Sequence, residues 1–165
     1  MKITFYIILL TGFAVFSSCT DRSGNNFIET GKLPVISPDY TDLIIPVNIA
    51  PMNFQIQEKG EAFQVIVAVN DNEKLKVSSN DGIITFSGRK WKKLLRETVG
   101  KELVFHVYAK ENSQWKKYQP ITNRVSESPI PPFLLYRQLF PGYESWKEMS
   151  IMEGSLESFE EKPVI

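Results

Sequence analysis

The 165-residue sequence contains one cysteine, one histidine and no excess of charge, with 19 basic against 19 acidic side chains. Each scarcity closes off a class of function. A zinc site needs three or four nitrogen or sulfur ligands, and one His with one Cys do not supply them. A Ser-His-Asp or Cys-His arrangement would have to use His106, which alternates with Phe105 and Val107 in what reads as a strand centre. Zero net charge and a pI near 6.6 deny the electrostatic footprint of a general nucleic-acid binder, so no nucleic-acid partner is expected. The calcium-loop pattern D-x-[DN]-x-[DN]-G is not matched, and Asp71-Asn72-Glu73 reads as part of a hairpin loop. No cofactor is expected. What the chain does have is 42% hydrophobic and 12% aromatic residues, the composition of a folded domain rather than a disordered one.

The first residues carry an address. Met1-Lys2 is a short basic start, and Ile3 to Phe16 is an apolar run interrupted only by Thr4, Thr11 and Gly12. As a helix it is about 21 Å long, short of a hydrocarbon core of about 30 Å, and it reads as the apolar region of a signal peptide. Ser17-Ser18-Cys19 follows, and this boundary resembles the lipobox of bacterial lipoproteins. The resemblance implies cleavage before Cys19, thioether attachment of diacylglycerol to Cys19 and acylation of the new amino group. A lone Cys has no intramolecular disulfide to make in an exported protein, which suits a covalent role at this boundary. Phe16 stands where Leu is more usual, and Thr20 stands where an inner-membrane retention signal commonly carries Asp. The expectation is an outer-membrane lipoprotein on the periplasmic side, held by several acyl chains. Loss of Lys2 with the leader leaves 18 basic and 19 acidic side chains, which indicates no charged class of partner.

The rest divides by texture. Residues 1–18 read as the signal peptide, and 19–37 as the acylated Cys with a polar tether that carries Gly and Pro and shows no periodicity. Residues 38–126 read as an antiparallel, immunoglobulin-like β-sandwich of short β-branched and aromatic runs, an all-β fold. Its expected strands are Leu43 to Val47, Asn53 to Gln57, Ala62 to Val69, Lys74 to Ser79, Gly82 to Ser87, Lys101 to Lys110, Gln114 to Tyr118 and Ile121 to Val125. Phe63, Val65, Val67 and Val69 share one face of their strand, as do Leu103, Phe105, Val107 and Ala109, so these two are the expected core. Pro46 and Pro51 confine the first runs to edges or bulges. Asn70-Asp71-Asn72 and Asn80-Asp81-Gly82 supply turn residues.

One short helix is expected. Trp91, Leu94 and Leu95 stand at i, i+3 and i+4 and form an apolar stripe. The cations around them, Arg89, Lys90, Lys92, Lys93 and Arg96, read as the solvated face of a helix plugging one end of the sandwich, because Glu97 and Glu102 lie close by. The other reading is a patch for an anionic ligand.

Residues 127–165 form an aromatic-rich extension. Pro129, Pro131 and Pro132 interrupt it, Phe133-Leu134-Leu135-Tyr136 and Leu139-Phe140 read as a short helix running to Pro141, and Met149 to Met152 as the start of a strand. Such an apolar surface calls for a partner. Phe133, Leu135, Tyr136, Phe140, Tyr143 and Trp146 are the candidate contact residues.

Several stretches together resemble the N-terminal part of TolB-like β-propeller lipoproteins: Ser37-Pro38-Asp39-Tyr40, Ile45 to Phe54, Trp91 to Leu95, Pro129 to Arg137, and Pro141 to Trp146. The resemblance spans about residues 37 to 165. It implies a leader sandwich followed by propeller blades, with the extension as the start of the first blade. Members of the family that carry a C-x-x-C-H haem-attachment motif differ from this chain, which has none. The leading expectation is a non-enzymatic module of the cell envelope that docks on a propeller or another envelope protein. The alternative is a glycan-binding module using Trp91, Trp115 and Trp146 with Tyr108, Tyr118 and Tyr143 as stacking surfaces. A hydrolase built on Glu144, Glu148, Glu153, Glu157, Glu160 and Glu161 ranks third, because acidic residues spread through a polar tail are ordinarily solvated.

Overall fold

The computed structural model describes residues 27–139 and 149–164. Alternating side chains build its centre. Phe63, Val65, Val67 and Val69 on β5 (Ala62–Val69) and Leu103, Phe105, Val107 and Ala109 on β8 (Glu102–Glu111) are all buried, as period-two patterning requires of strands with one face on a core. Two-residue loops turn both strands back on themselves. Asn70 and Asp71 (φ 48° and 61°) lead into β6 (Asn72–Ser79), and Asn112 and Ser113 (φ 51° and 64°) lead into β9 (Gln114–Lys117). Two successive positive φ values match the right-handed twist of a hairpin, and Asn and Asp tolerate them better than most residues.

The larger sheet has seven strands arranged about β8. One edge of β8 takes β5, from Ala62 opposite Lys110 to Ala68 opposite Val104, and β5 takes β6 on its far side. The other edge is shared. β9 pairs with the second half of β8, and β10 (Ile121–Val125) with the first half, from Ile121 opposite Phe105. Outside them lie two very short parallel strands, β1 (Phe27–Glu29) on β9 and β3 (Ile44–Ile45) on β10. The smaller sheet orders β2 (Ile36–Ser37), β4 (Phe54–Ile56) and β7 (Ile83–Ile84). The chain changes layer after each of β1, β2, β3 and β4, and again after β6 and β7, while β5, β8 and the β9/β10 line stand side by side. This is the all-β, sandwich-like fold expected from the sequence.

The helix α1 (Gly88–Glu97) connects β7 to β8 and buries Trp91, Leu94 and Leu95, the stripe read from the sequence. Trp91 is fully buried, and its indole nitrogen donates to the carbonyl of Ile49 at 3.2 Å. The helix ends on buried Thr98, whose hydroxyl donates to Leu94 O at 2.7 Å. Gly82 makes the approach of β7 to β4 possible. At φ 81° its carbonyl receives the Ile56 amide at 2.8 Å, and a Cβ there would stand 2.8 Å from Ile56 O.

Two expectations are corrected. The tether of residues 19–37 is folded from Phe27 onward: Phe27 lies opposite Trp115 with its ring 5.9 Å from Tyr108, and Ile36 is buried opposite Ile56. Edge strands this short carry little patterning of their own, and their pairing comes from the neighbour that receives them. The expected helix over Phe133 to Phe140 is instead β11 (Phe133–Gln138), paired along its whole length with β12 (Ser150–Ser155). Four consecutive apolar residues have no helical stripe, and they fit a strand with apolar groups on both faces. The strand expected at Met149 to Met152 is present as β12.

A charged cluster ties the N-terminal segment down. The side chain of Glu58 accepts the Val35 amide at 3.0 Å, the Tyr118 hydroxyl at 3.1 Å and the Lys32 ammonium at 3.3 Å. Burial first and the neighbouring Glu58 carboxylate second push the Tyr118 phenol up to about 12. A folded-state value above the unfolded value near 10 means that this stability is complete below pH 10 and is lost as pH rises toward 12. Urea titrations of the wild type and Tyr118→Phe at pH 8 and pH 11 are expected to differ accordingly. The wild type should lose about 1.4 kcal/mol more than the variant over that interval.

Candidate functional site

The extension folds as a three-stranded antiparallel sheet of β11, β12 and β13 (Glu161–Pro163). Its register puts Phe133, Leu135 and Ile151 on one face with Glu153 and Lys162, and Leu134, Tyr136 and Met152 on the other. Among the described residues, neither face is fully covered. Phe133 is 54% and Leu135 62% exposed, and Leu134, Ile151, Phe159 and Val164 are exposed as well. A sheet with apolar residues on both sides ordinarily lies between two other layers. Gly154 fits the middle of β12 because the Tyr136 ring crosses it, leaving 3.3 Å to where a Cβ would stand. Tyr136 then reaches Glu161 across the sheet, and partial desolvation followed by that hydrogen bond raises its phenol.

Asn48 leads the contacts that moor the sheet to the sandwich. Asn48 donates through Nδ2 to Ile130 O and to Glu157 Oε1, each at 2.9 Å, and accepts the Ile130 amide through Oδ1 at 2.9 Å. Ala50 adds a backbone bond to Leu156 O at 2.8 Å, and Lys92 faces Glu157 at 3.8 Å. Between the two bodies runs an apolar groove of about 410 Å³, bordered by Tyr40, Ile44 and Pro51 on the sandwich side and by Leu156 and Phe159 on the other. Phe159 and Ile44 are exposed at its rim.

The structure therefore brings Phe133, Leu135 and Tyr136 together on one small sheet, with Phe133 and Leu135 on one face and Tyr136 on the opposite one. Cys19, Phe140, Tyr143 and Trp146, together with the signal peptide of residues 1–18, lie outside the described residues. Missed in the sequence were Ile151, Phe159 and Val164, which add to the same exposed surface. Their signal was weak: Phe159 is a lone apolar residue beside Ser158, Glu160 and Glu161, Val164 follows Pro163, and Ile151 lies in a short run whose exposed face the sequence does not reveal.

The other candidates separate. Trp91 is core. Trp115 and Tyr108 stand half-exposed with Phe27, Gln64 and Lys76 around a shallow pocket of about 150 Å³ on the larger sheet's outer face. Tyr118 is buried in the Glu58 cluster. His106 lies opposite Ile66, and its Nδ1 has no hydrogen-bond partner among the described residues. Burial chiefly, then Lys117, lower its pKa, against a smaller opposing effect of Asp71. Asp71 and Asn72 belong to the β5–β6 hairpin. Glu153 pairs with Lys162 at 2.8 Å and Glu161 meets Tyr136 within the extension, while Glu157 holds Asn48 of the sandwich, so all three acids have partners. Among the described residues no three His, Cys, Asp or Glu side chains gather in a metal-binding group, and no helix is long and apolar enough to cross a membrane.

No family model, curated protein or solved structure matches the chain.

Asn48→Ala removes three hydrogen bonds at the mooring and is expected to make local opening of the extension easier by about 2 kcal/mol. Hydrogen exchange measured by mass spectrometry should show faster exchange in peptides covering 150–160, with the β5 and β8 peptides unchanged.

Proposed function

We propose that the protein is a non-enzymatic, lipid-anchored module of the outer membrane that docks on a protein partner through the β11–β12–β13 sheet. The observation that carries this reading is the sheet itself, with apolar residues on both faces, left exposed among the described residues and moored to a well-packed sandwich at Asn48. A surface that costs solvation on two sides is kept in a folded protein when something else covers it. The partner is an envelope protein or a propeller. An antiparallel three-stranded meander has the strand arrangement of most of a four-stranded propeller blade, in keeping with the resemblance seen in the sequence. The lipobox-like Ser17-Ser18-Cys19 after an apolar leader supports the anchor.

Two substitutions test the two halves separately. Cys19→Ala is expected to abolish labelling by a radioactive fatty acid and to release the protein from the membrane fraction, while leaving partner crosslinking intact in detergent extracts. Leu135→Asp is expected to keep the lipid label and lose the crosslinked partner band. A wild-type chain that is monodisperse and crosslinks to no envelope protein ends the docking reading.

A second reading has its own observation. Phe27, Tyr108 and Trp115 form a half-exposed aromatic shelf beside the polar ends of Gln64 and Lys76, which suits the face of a sugar ring. On this reading Trp115→Ala removes a signal that the wild type gives on a glycan array. A blank array for the wild type dismisses it.

A further inference from the structure

β6 is the free edge of the larger sheet, since its one strand partner among the described residues is β5. Beside it lies a groove of about 540 Å³, lined by Lys74 and Lys76 of the edge strand and by Lys90, Lys93 and Glu97 of α1. The floor is apolar, made of Leu75, Val77, Phe86 and Leu94. Of the four lysines, Lys93 faces Glu97 at 3.8 Å, and the other three have no carboxylate partner among the described residues. Lysines on an edge strand commonly guard it against stray pairing, and Lys74 and Lys76 alone would fit that role. Lys90 and Lys93 do not, because they come from a different element.

We infer that this groove receives an extended acidic segment of another protein, which adds to β6 as a further strand. Three properties converge on that occupant. The unpaired β6 edge offers backbone donors and acceptors to a chain in strand conformation. The cations of both elements draw negative charge, and the apolar floor calls for apolar side chains on one face of the segment. Because successive residues of a strand point to opposite sides, the fitting sequence alternates acidic and apolar residues. A flat lipid headgroup surface reaches the rim lysines and leaves the floor empty. The groove is separate from the β11–β12–β13 sheet, so this inference does not depend on the docking partner proposed above.

The probe is a fluorescein-labelled peptide of alternating Glu and Val, matching the 8 residues of β6, followed by fluorescence anisotropy with the full chain. Saturable binding that weakens as salt is raised from about 0.05 M to about 0.5 M is expected. Lys90→Glu with Lys93→Glu should weaken it about tenfold or more, and Lys74→Glu with Lys76→Glu provides an independent reversal on the strand. A peptide of the same length and charge with two interior Val replaced by Pro should not bind, because it cannot form the ladder. Absence of saturable binding overturns the inference. So does equal binding of the Pro-containing peptide, insensitivity to both charge reversals, or full displacement of the peptide by phosphatidylglycerol vesicles.

Discussion

Phe86 sits where three elements meet. Its ring lies 6.2 Å from Phe54 on β4, 5.3 Å from Trp91 on α1 and 6.3 Å from Phe105 on β8. Offset and edge-on contacts of this kind add about 1 kcal/mol each beyond the area they bury, and here they also decide geometry. The smaller sheet has three strands and cannot by itself cover a neighbour of seven. The aromatic cluster closes the gap, because it draws a helix in beside β7 and turns the Trp91 face toward the core. The Ile49 carbonyl then accepts the indole proton, so the loop before β4 is held by the same residue that fills the centre. Removing that contact would expose the interior of both layers together.

Secondary positions hang from this core with decreasing security. Asn123 is buried on β10 and accepts the Leu43 amide at 2.7 Å, which brings β3 to the sheet edge. Asn53 does the same for the chain after β7, accepting the Phe86 amide at 2.9 Å. Asn48 extends the pattern outward to the extension. Three asparagines thus join segments whose backbones are too irregular to pair for long, each satisfying amides that would otherwise be stranded.

The sandwich was legible where one physical rule dominated. Val65, Val67, Phe105 and Val107 alternate because one sheet face is dry and the other wet, and the Trp91–Leu94–Leu95 spacing has no good use except a helix on a core. Turn chemistry was readable at Asn70-Asp71, but Asn112-Ser113 makes the same turn without announcing itself, since Ser is a poor marker of positive φ. Phe27 to Glu29 was opaque because a three-residue parallel strand takes its register from Trp115 to Lys117 opposite it, across a long sequence separation. The extension misled for a different reason. Phe133 to Tyr136 is apolar at every position, and such a run leaves its period undefined until a partner strand is known. At the candidate sites, the sequence displayed the charges of Lys90 and Lys93 but not their neighbours. That Lys74 and Lys76 line the same groove as these cations depends on the layer crossings, which no local pattern encodes.

The parallel pairing of β1 also sets a length. With Phe27 fastened to the sheet, an anchor at Cys19 has eight peptide steps before the folded body begins, a reach of at most about 28 Å even when fully drawn out. A tether running to Ser37 would have more than doubled it. On the lipoprotein reading the sandwich therefore rides on a short leash, within roughly one domain diameter of the lipid headgroups. Whatever meets its sheet or its groove must be found in that thin shell of the envelope rather than sought across it.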